Sequence, residues 1–188
     1  LLTLDVSNFF DSISSDKIYN LFLDLGYKED VVVMLTNLCC LNGWLPQGAP
    51  TSPMLSNIIL RQFDNVMGKY TNEKKIRYTR YADDMTFSGT FNPGQIISVV
   101  RKELFRLGLQ LNENKTRVRR KGQCQEVTGI VVNEKLQLPK NVRKKIRQDL
   151  YYIRKYGLES HMEYCDISKE KYLQHLKGRI QYGLFINP

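Results

Sequence analysis

Along the chain, the spacing of apolar and polar positions changes several times, and each change marks an element. Leu1, Leu2 and Leu4 make a short apolar strand that runs into Asp5. Ser15-Asp16 can cap a helix over about 17–25, which Gly26 stops, and 29–41 is helical in character despite the β-branched run Val31 to Val33. The stretch GWLPQGAPTSP, residues 43–53, is dense in Gly and Pro and reads as loop. Ser52 as cap followed by Pro53 is a strong helix start, and that helix is expected to run to Met67 or Tyr70.

Residues 76–81 and 85–88 read as two strands joined at Ala82-Asp83-Asp84, a hairpin. Asn92-Pro93 opens a helix over 94–107, ended by Gly108. Short strands are predicted at 109–111, 116–120 and 126–132, with a further one at 136–138 after the Asn133-Glu134 turn. Beyond Pro139 the period becomes helical. Val142, Ile146, Leu150 and Ile153 fall on one stripe beside Arg143, Lys144, Arg147 and Arg154, and a last helix is expected over about 169–182. This order predicts an α+β layer domain with an antiparallel sheet over 1–133, then a small helical region over 134–188.

Charge sharpens the picture. Lys and Arg outnumber Asp and Glu by 28 to 19, a net +9, and most of the surplus lies in the last quarter of the chain. Such a surplus favours a polyanionic partner. No apolar run approaches the roughly 18–20 residues that span a bilayer, so no membrane segment is predicted. The cysteines, Cys39, Cys40, Cys124 and Cys165, lack metal-ligand spacing, and with only His161 and His175 beside them zinc chemistry is not expected. Reduced thiols imply a cytoplasmic protein.

The oddest feature is RYADDMTFS, residues 80–88, where Asp83 and Asp84 stand side by side in an apolar, aromatic run. Adjacent carboxylates repel, and a bound divalent cation turns that repulsion into attraction, since hard oxygen donors suit Mg2+. Asp5, just past an apolar strand, is positioned to supply a third carboxylate if the fold closes the distance. The alternative is a plain turn, in which Asp is common.

The wider context bears on that choice. LDVSNFFDSI (4–13), LPQGAPTSPMLSN (45–57), RYADD (80–84), LGLQLNENKT (107–116) and EVTGIVVN (126–133) resemble, in order, five successive motifs of reverse transcriptases. The wording LPQGAPTSP, YADD and VTG looks most like the bacterial retron type, while group II intron and CRISPR-linked enzymes share part of it. The resemblance implies a polymerase palm with an antiparallel sheet flanked by helices, followed by a small helical thumb. Because the chain starts at the first catalytic motif without Met, the fingers are expected upstream of it.

The same resemblance implies a nucleotidyltransferase (a transferase) using two Mg2+ ions, or Mn2+ in their place. Asp5, Val6, Asp83 and Asp84 match the metal-site positions, and Lys115 matches a proton donor to pyrophosphate. Phe10, Gln47 and Gly48 match the deoxynucleoside triphosphate pocket, with Phe10 excluding a 2′-hydroxyl. Tyr81, Val127, Thr128 and Gly129 match primer and template contacts, and Arg143 and Arg147 lie on the thumb-like helix. The implied partners are structured RNA, an RNA–DNA hybrid and an effector protein, and the implied setting is antiviral defence in the bacterial cytoplasm. Plainer readings stand beside these: Phe10 as a core aromatic, Tyr81 as a packed strand residue, Lys115 as one of a basic cluster, and the late helices as solvated faces. A palm and thumb that bind RNA without chemistry is the competing function.

Overall fold

The computed structural model describes residues 1–165 and 169–187. At the centre of its main sheet is the strand β1, Leu2–Leu4, so short that only its neighbours can stabilise it. It pairs antiparallel with β3, Asp84–Ser88, in the register Leu2↔Phe87, Thr3↔Thr86 and Leu4↔Met85. On its other side lies β4, Arg117–Val118, and β2, Arg77–Tyr81, flanks β3 to complete the order β2-β3-β1-β4. Side chains alternate across a strand, so Leu2, Leu4, Met85 and Phe87 share one face, and all four are buried.

Against that face pack helices whose apolar spacing supplies the rest of the core. They are α1 (Ser15–Asp24), α3 (Ser52–Ile59), α4 (Arg61–Glu73) and α5 (Pro93–Arg106), while α2 (Glu29–Cys39) packs on α1. Ile18, Leu60, Met67, Ile96 and Leu104 are fully or almost fully buried there. Asn92 caps α5 through its side-chain oxygen, which accepts from the Gly94 N–H at 2.9 Å, and Pro93 follows as the sequence predicts.

The single helix expected from Ser52 to Met67 or Tyr70 is instead two. The chain breaks at Leu60, where ψ is 0°, although no Gly or Pro marks the place. Leu60 is fully buried, and the break lets Leu55 on one side and Phe63 and Met67 on the other reach the same core. Ser52 is not the cap. Thr51 holds that position without a side-chain bond, and the Ser52 hydroxyl donates to the Pro46 carbonyl at 2.6 Å, pinning the preceding loop.

Most of the late strands are also shorter than predicted. Of 116–120 only Arg117–Val118 joins the sheet, and 109–111 contributes one bridge, Val6↔Leu111. The strand expected over 126–132 is a tight hairpin of β5, Glu126–Val127, and β6, Ile130–Val131. Residues 136–138 make one bridge, Val131↔Gln137.

Two compact units are present, Leu1–Val118 and Arg119–Pro188, a division that falls before residue 133 and leaves the β5–β6 hairpin in the second. That unit also contains α6 (Lys140–Tyr156), α7 (Leu158–Cys165) and α8 (Lys169–Ile186). The helix α7 follows the left-handed Gly157 and was not predicted, and α8 runs past the expected Tyr182. Met162, Tyr172 and Leu176 form the small core, with Ile153 packed against it. The apolar stripe expected on α6 is only partly inward: Leu150 is 45% exposed, whereas its neighbour Asp149 is fully buried. Lys145 (3.0 Å) and Arg179 (3.6 Å) balance the charge of the Asp149 carboxylate without directed hydrogen bonds, and the His161 ring lies 3.7 Å away. No described helix is long and apolar enough to cross a membrane, and the four cysteines are free.

Candidate active site

One step beyond the Leu4↔Met85 pair, the β1–β3 register brings Asp5 opposite Asp84. Tyr81↔Asp84 closes the β2–β3 hairpin, so Ala82 and Asp83 are its two turn residues. Ala82 has φ +51°, the left-handed region that a Cβ disfavours. Three carboxylates from two distant stretches of sequence therefore gather at one end of the sheet.

Asp5 is 6% exposed and is fixed by the loop after α5. The Asn112 N–H donates to the Asp5 carbonyl at 2.8 Å, Asn112 Nδ2 to Oδ1 at 3.2 Å, and Lys115 Nζ to Oδ2 at 2.9 Å. Lys115 is itself largely exposed, and its pKa is raised by the hydrogen bond to Asp5 and then by the charges of Asp5, Asp83 and Asp84. The Asp84 carboxyl is raised above its usual value by partial burial, then by the charges of Asp83 and Asp5, against the pull of Lys115. The charges of the three acids thus act on one another through space, and Lys115 pairs directly with Asp5.

No group of three or more His, Cys, Asp or Glu among the described residues is arranged as a metal cage. The donor set nonetheless suits a hard cation. It consists of carboxylate oxygens whose mutual repulsion is already visible at Asp84 and is answered by a cationic Lys115. The Val6 side chain is buried core, so only its main-chain carbonyl is free in kind to act as a ligand.

Around this centre the other sequence-predicted residues are distributed unevenly. Phe10 opens a 3-10 turn and is half-buried, its ring 5.1 Å from the buried Phe9. Gln47 and Gly48 are exposed in the loop before α3. Gly48 has φ +88° with open space where a Cβ would point, so a ligand can approach that backbone closely. Tyr81 is 73% exposed, unlike its strand neighbour Tyr78, which stacks on Phe87 at 5.0 Å. Val127, Thr128, Gly129, Arg143 and Arg147 all belong to the second unit. Thr128 and Gly129 form the β5–β6 turn, and both arginines are exposed on α6.

Sequence reasoning missed a second set of polar residues behind the carboxylate turn. Arg80, at the head of the RYADD motif, is bound by Asp64 of α4 and Asn57 of α3, and Tyr78 donates to Asp64 at 2.7 Å. Asn112 lies within the LGLQLNENKT motif. Nothing in the sequence pairs Asp64 with Arg80.

Comparison with known proteins gives a consistent result. Residues 1–132 match the family described as reverse transcriptase (RNA-dependent DNA polymerase). The chain is 31% identical over 192 residues to the retron Ec86 reverse transcriptase of Escherichia coli, covering 100% of this chain and 56% of that protein. It is 31% identical over 208 residues to the retron Mx65 reverse transcriptase of Myxococcus xanthus, covering 100% and 46%. The retron Ec83 reverse transcriptase of Escherichia coli is 28% identical over 207 residues, with 100% and 62% covered. The chain spans about half the length of the curated relatives it matches.

Proposed function

We propose, because the chain belongs to the reverse transcriptase family, that it extends a primer along an RNA template as a retron-type RNA-directed DNA polymerase making RNA-linked single-stranded DNA. The observation that carries this reading is the meeting of Asp5 with the Asp83-Asp84 turn at the ends of two antiparallel strands. Residues 1–133 act as the palm and 134–188 as a thumb-like region.

Asp5, Asp83 and the Val6 carbonyl would hold two Mg2+ ions, with Asp84 flanking. Bound there, the ions supply activation of the primer hydroxyl and neutralise charge on the departing pyrophosphate. Lys115 donates a proton to that pyrophosphate, and its pairing with Asp5 keeps it protonated beforehand. Phe10 closes the sugar side of the nucleotide pocket to a 2′-hydroxyl, and the exposed backbone at Gly48 lets the nascent base pair approach. Arg143 and Arg147, exposed on α6, bind phosphates of the RNA–DNA duplex without reading sequence.

Primer extension with Mg2+ on RNA and DNA templates tests the reading, using the full-length protein and Asp83→Asn. Extension on RNA by the wild type, and its loss in the variant at unchanged folding, is expected. Equal extension by Asp83→Asn would overturn the assignment of the carboxylates. Binding of structured RNA with no extension at all would favour a non-catalytic RNA module.

A further inference from the structure

Arg80 is the best-connected side chain on the catalytic hairpin. On β2 it points inward beside Tyr78, its side chain only 6% exposed. Its guanidinium divides its donors among three elements. Nε donates to Asp64 Oδ1 at 2.9 Å and Nη2 to Asp64 Oδ2 at 2.5 Å, a two-pronged grip on α4. Nη1 donates to Asn57 Oδ1 of α3 at 3.0 Å and to the Ala82 carbonyl at 2.8 Å. Asp64 is held in turn by the Tyr78 hydroxyl at 2.7 Å. Burial alone would lower the pKa of Arg80, but the hydrogen bonds and charge of Asp64 more than offset this and leave it raised. The group is charged, with four of its five N–H donors engaged.

The bond to Ala82 gives this network a purpose beyond packing. The Ala82 carbonyl oxygen and the Asp83 nitrogen lie in one rigid peptide plane, so anchoring the oxygen orients the start of Asp83. Ala82 is also the left-handed residue of the turn, a conformation that persists only where surroundings hold it. We infer that Arg80, gripped by Asp64 and Asn57, is a positioning residue that locks the Ala82-Asp83 peptide and thereby aims the Asp83 and Asp84 carboxylates. The inference rests on the polymerase reading for its consequence, though the lock itself is a property of the turn. Lysine cannot replace it, because one ammonium cannot hold a bidentate carboxylate, an amide oxygen and a turn carbonyl in one plane.

The test compares the full-length wild type with Arg80→Lys and Asp64→Asn. Amide hydrogen exchange over residues 80–86, Mn2+ affinity by titration, primer-extension kinetics and thermal unfolding are measured for each. Both variants are expected to exchange faster in the turn while the α5 amides keep their protection, and to bind Mn2+ several-fold more weakly. A displacement near 1 Å lowers kcat by about ten- to a hundredfold, with the nucleotide KM little changed. Turn exchange and Mn2+ affinity equal to wild type would overturn the inference, and so would a loss of activity that merely follows the unfolded fraction. If the wild type extends no primer yet Arg80→Lys frees the turn and weakens Mn2+ binding, the polymerase reading fails and the lock stands.

Discussion

Thr128→Asn should make the protein more stable, and the reason lies in two backbone angles. Val127 pairs with Ile130, leaving Thr128 and Gly129 as a two-residue loop with φ +46° and +80°. Left-handed values at both positions define the hairpin turn that Asn-Gly favours. A β-branched residue is among the poorest choices for the first position, since its Cβ crowds the carbonyl by about 1–2 kcal/mol. The exposed Thr128 side chain has no hydrogen bond to another described residue to offset this. Asparagine tolerates the conformation, so about 1 kcal/mol should be recovered. That corresponds to a Tm rise of about 2–4 °C if the whole chain melts together, or about 4–8 °C if 119–188 melts alone. Thr128→Gly should gain less, because glycine gives back about 0.5–1 kcal/mol of chain entropy. Calorimetry of the three proteins decides the matter. A Thr128→Asn protein that melts at or below the wild type would refute the strain argument. Strained residues persist where they serve a function, so the same variant should bind structured RNA more weakly while melting higher.

Two further outcomes are expected. Phe10→Ala should incorporate ribonucleotides more readily in primer extension, with a stability loss below the roughly 3–5 kcal/mol of a fully buried phenylalanine, because the ring is only half-buried; unchanged sugar discrimination would count against the gate. Asp84 has a carboxyl pKa raised in the folded state, so the folded protein binds that proton more tightly than the unfolded chain does, and ionised Asp84 costs stability. That cost is absent below the ordinary carboxylate value of 3.8 and complete above the folded pKa. Asp84→Asn should therefore raise Tm at pH 7, with the gain fading as pH falls through this window; a gain independent of pH would point to some other cause.

What the sequence made legible was local or motif-borne. The Asn92-Pro93 start of α5, the hairpin around Ala82-Asp83 and the helices α6 and α8 follow from neighbours in the chain, and the structure agrees. The break at Leu60 was hidden because nothing in Ile59-Leu60-Arg61 disfavours a helix; only the shared core demands it. The β5–β6 turn was hidden because Thr128 is a strand-former sitting where the chain reverses. Asp149 escaped notice because its burial depends on Lys145, Arg179 and His161 from three helices converging on it. At the candidate site, the acids could be named from their motifs, but their convergence, the Lys115–Asp5 pair and the Arg80–Asp64 grip are tertiary facts.

The two faces of the central strands explain how such a site can be stable at all. Along β1 and β3 the alternation sends Leu2, Leu4, Met85 and Phe87 into the core, and leaves Thr3, Asp5, Asp84 and Thr86 on the opposite face. A slip of the pairing by one residue would exchange the two sets, driving the acids inward and the leucines outward. Burying an unpaired carboxylate and exposing leucines, Met85 and Phe87 to water are both costly, so the hydrophobic face fixes the register with a wide margin. Register in turn fixes which acid faces Asp5. The geometry of the carboxylates is therefore enforced by apolar contacts on the far side of the sheet, so their mutual repulsion can be kept without loosening the strands that carry them.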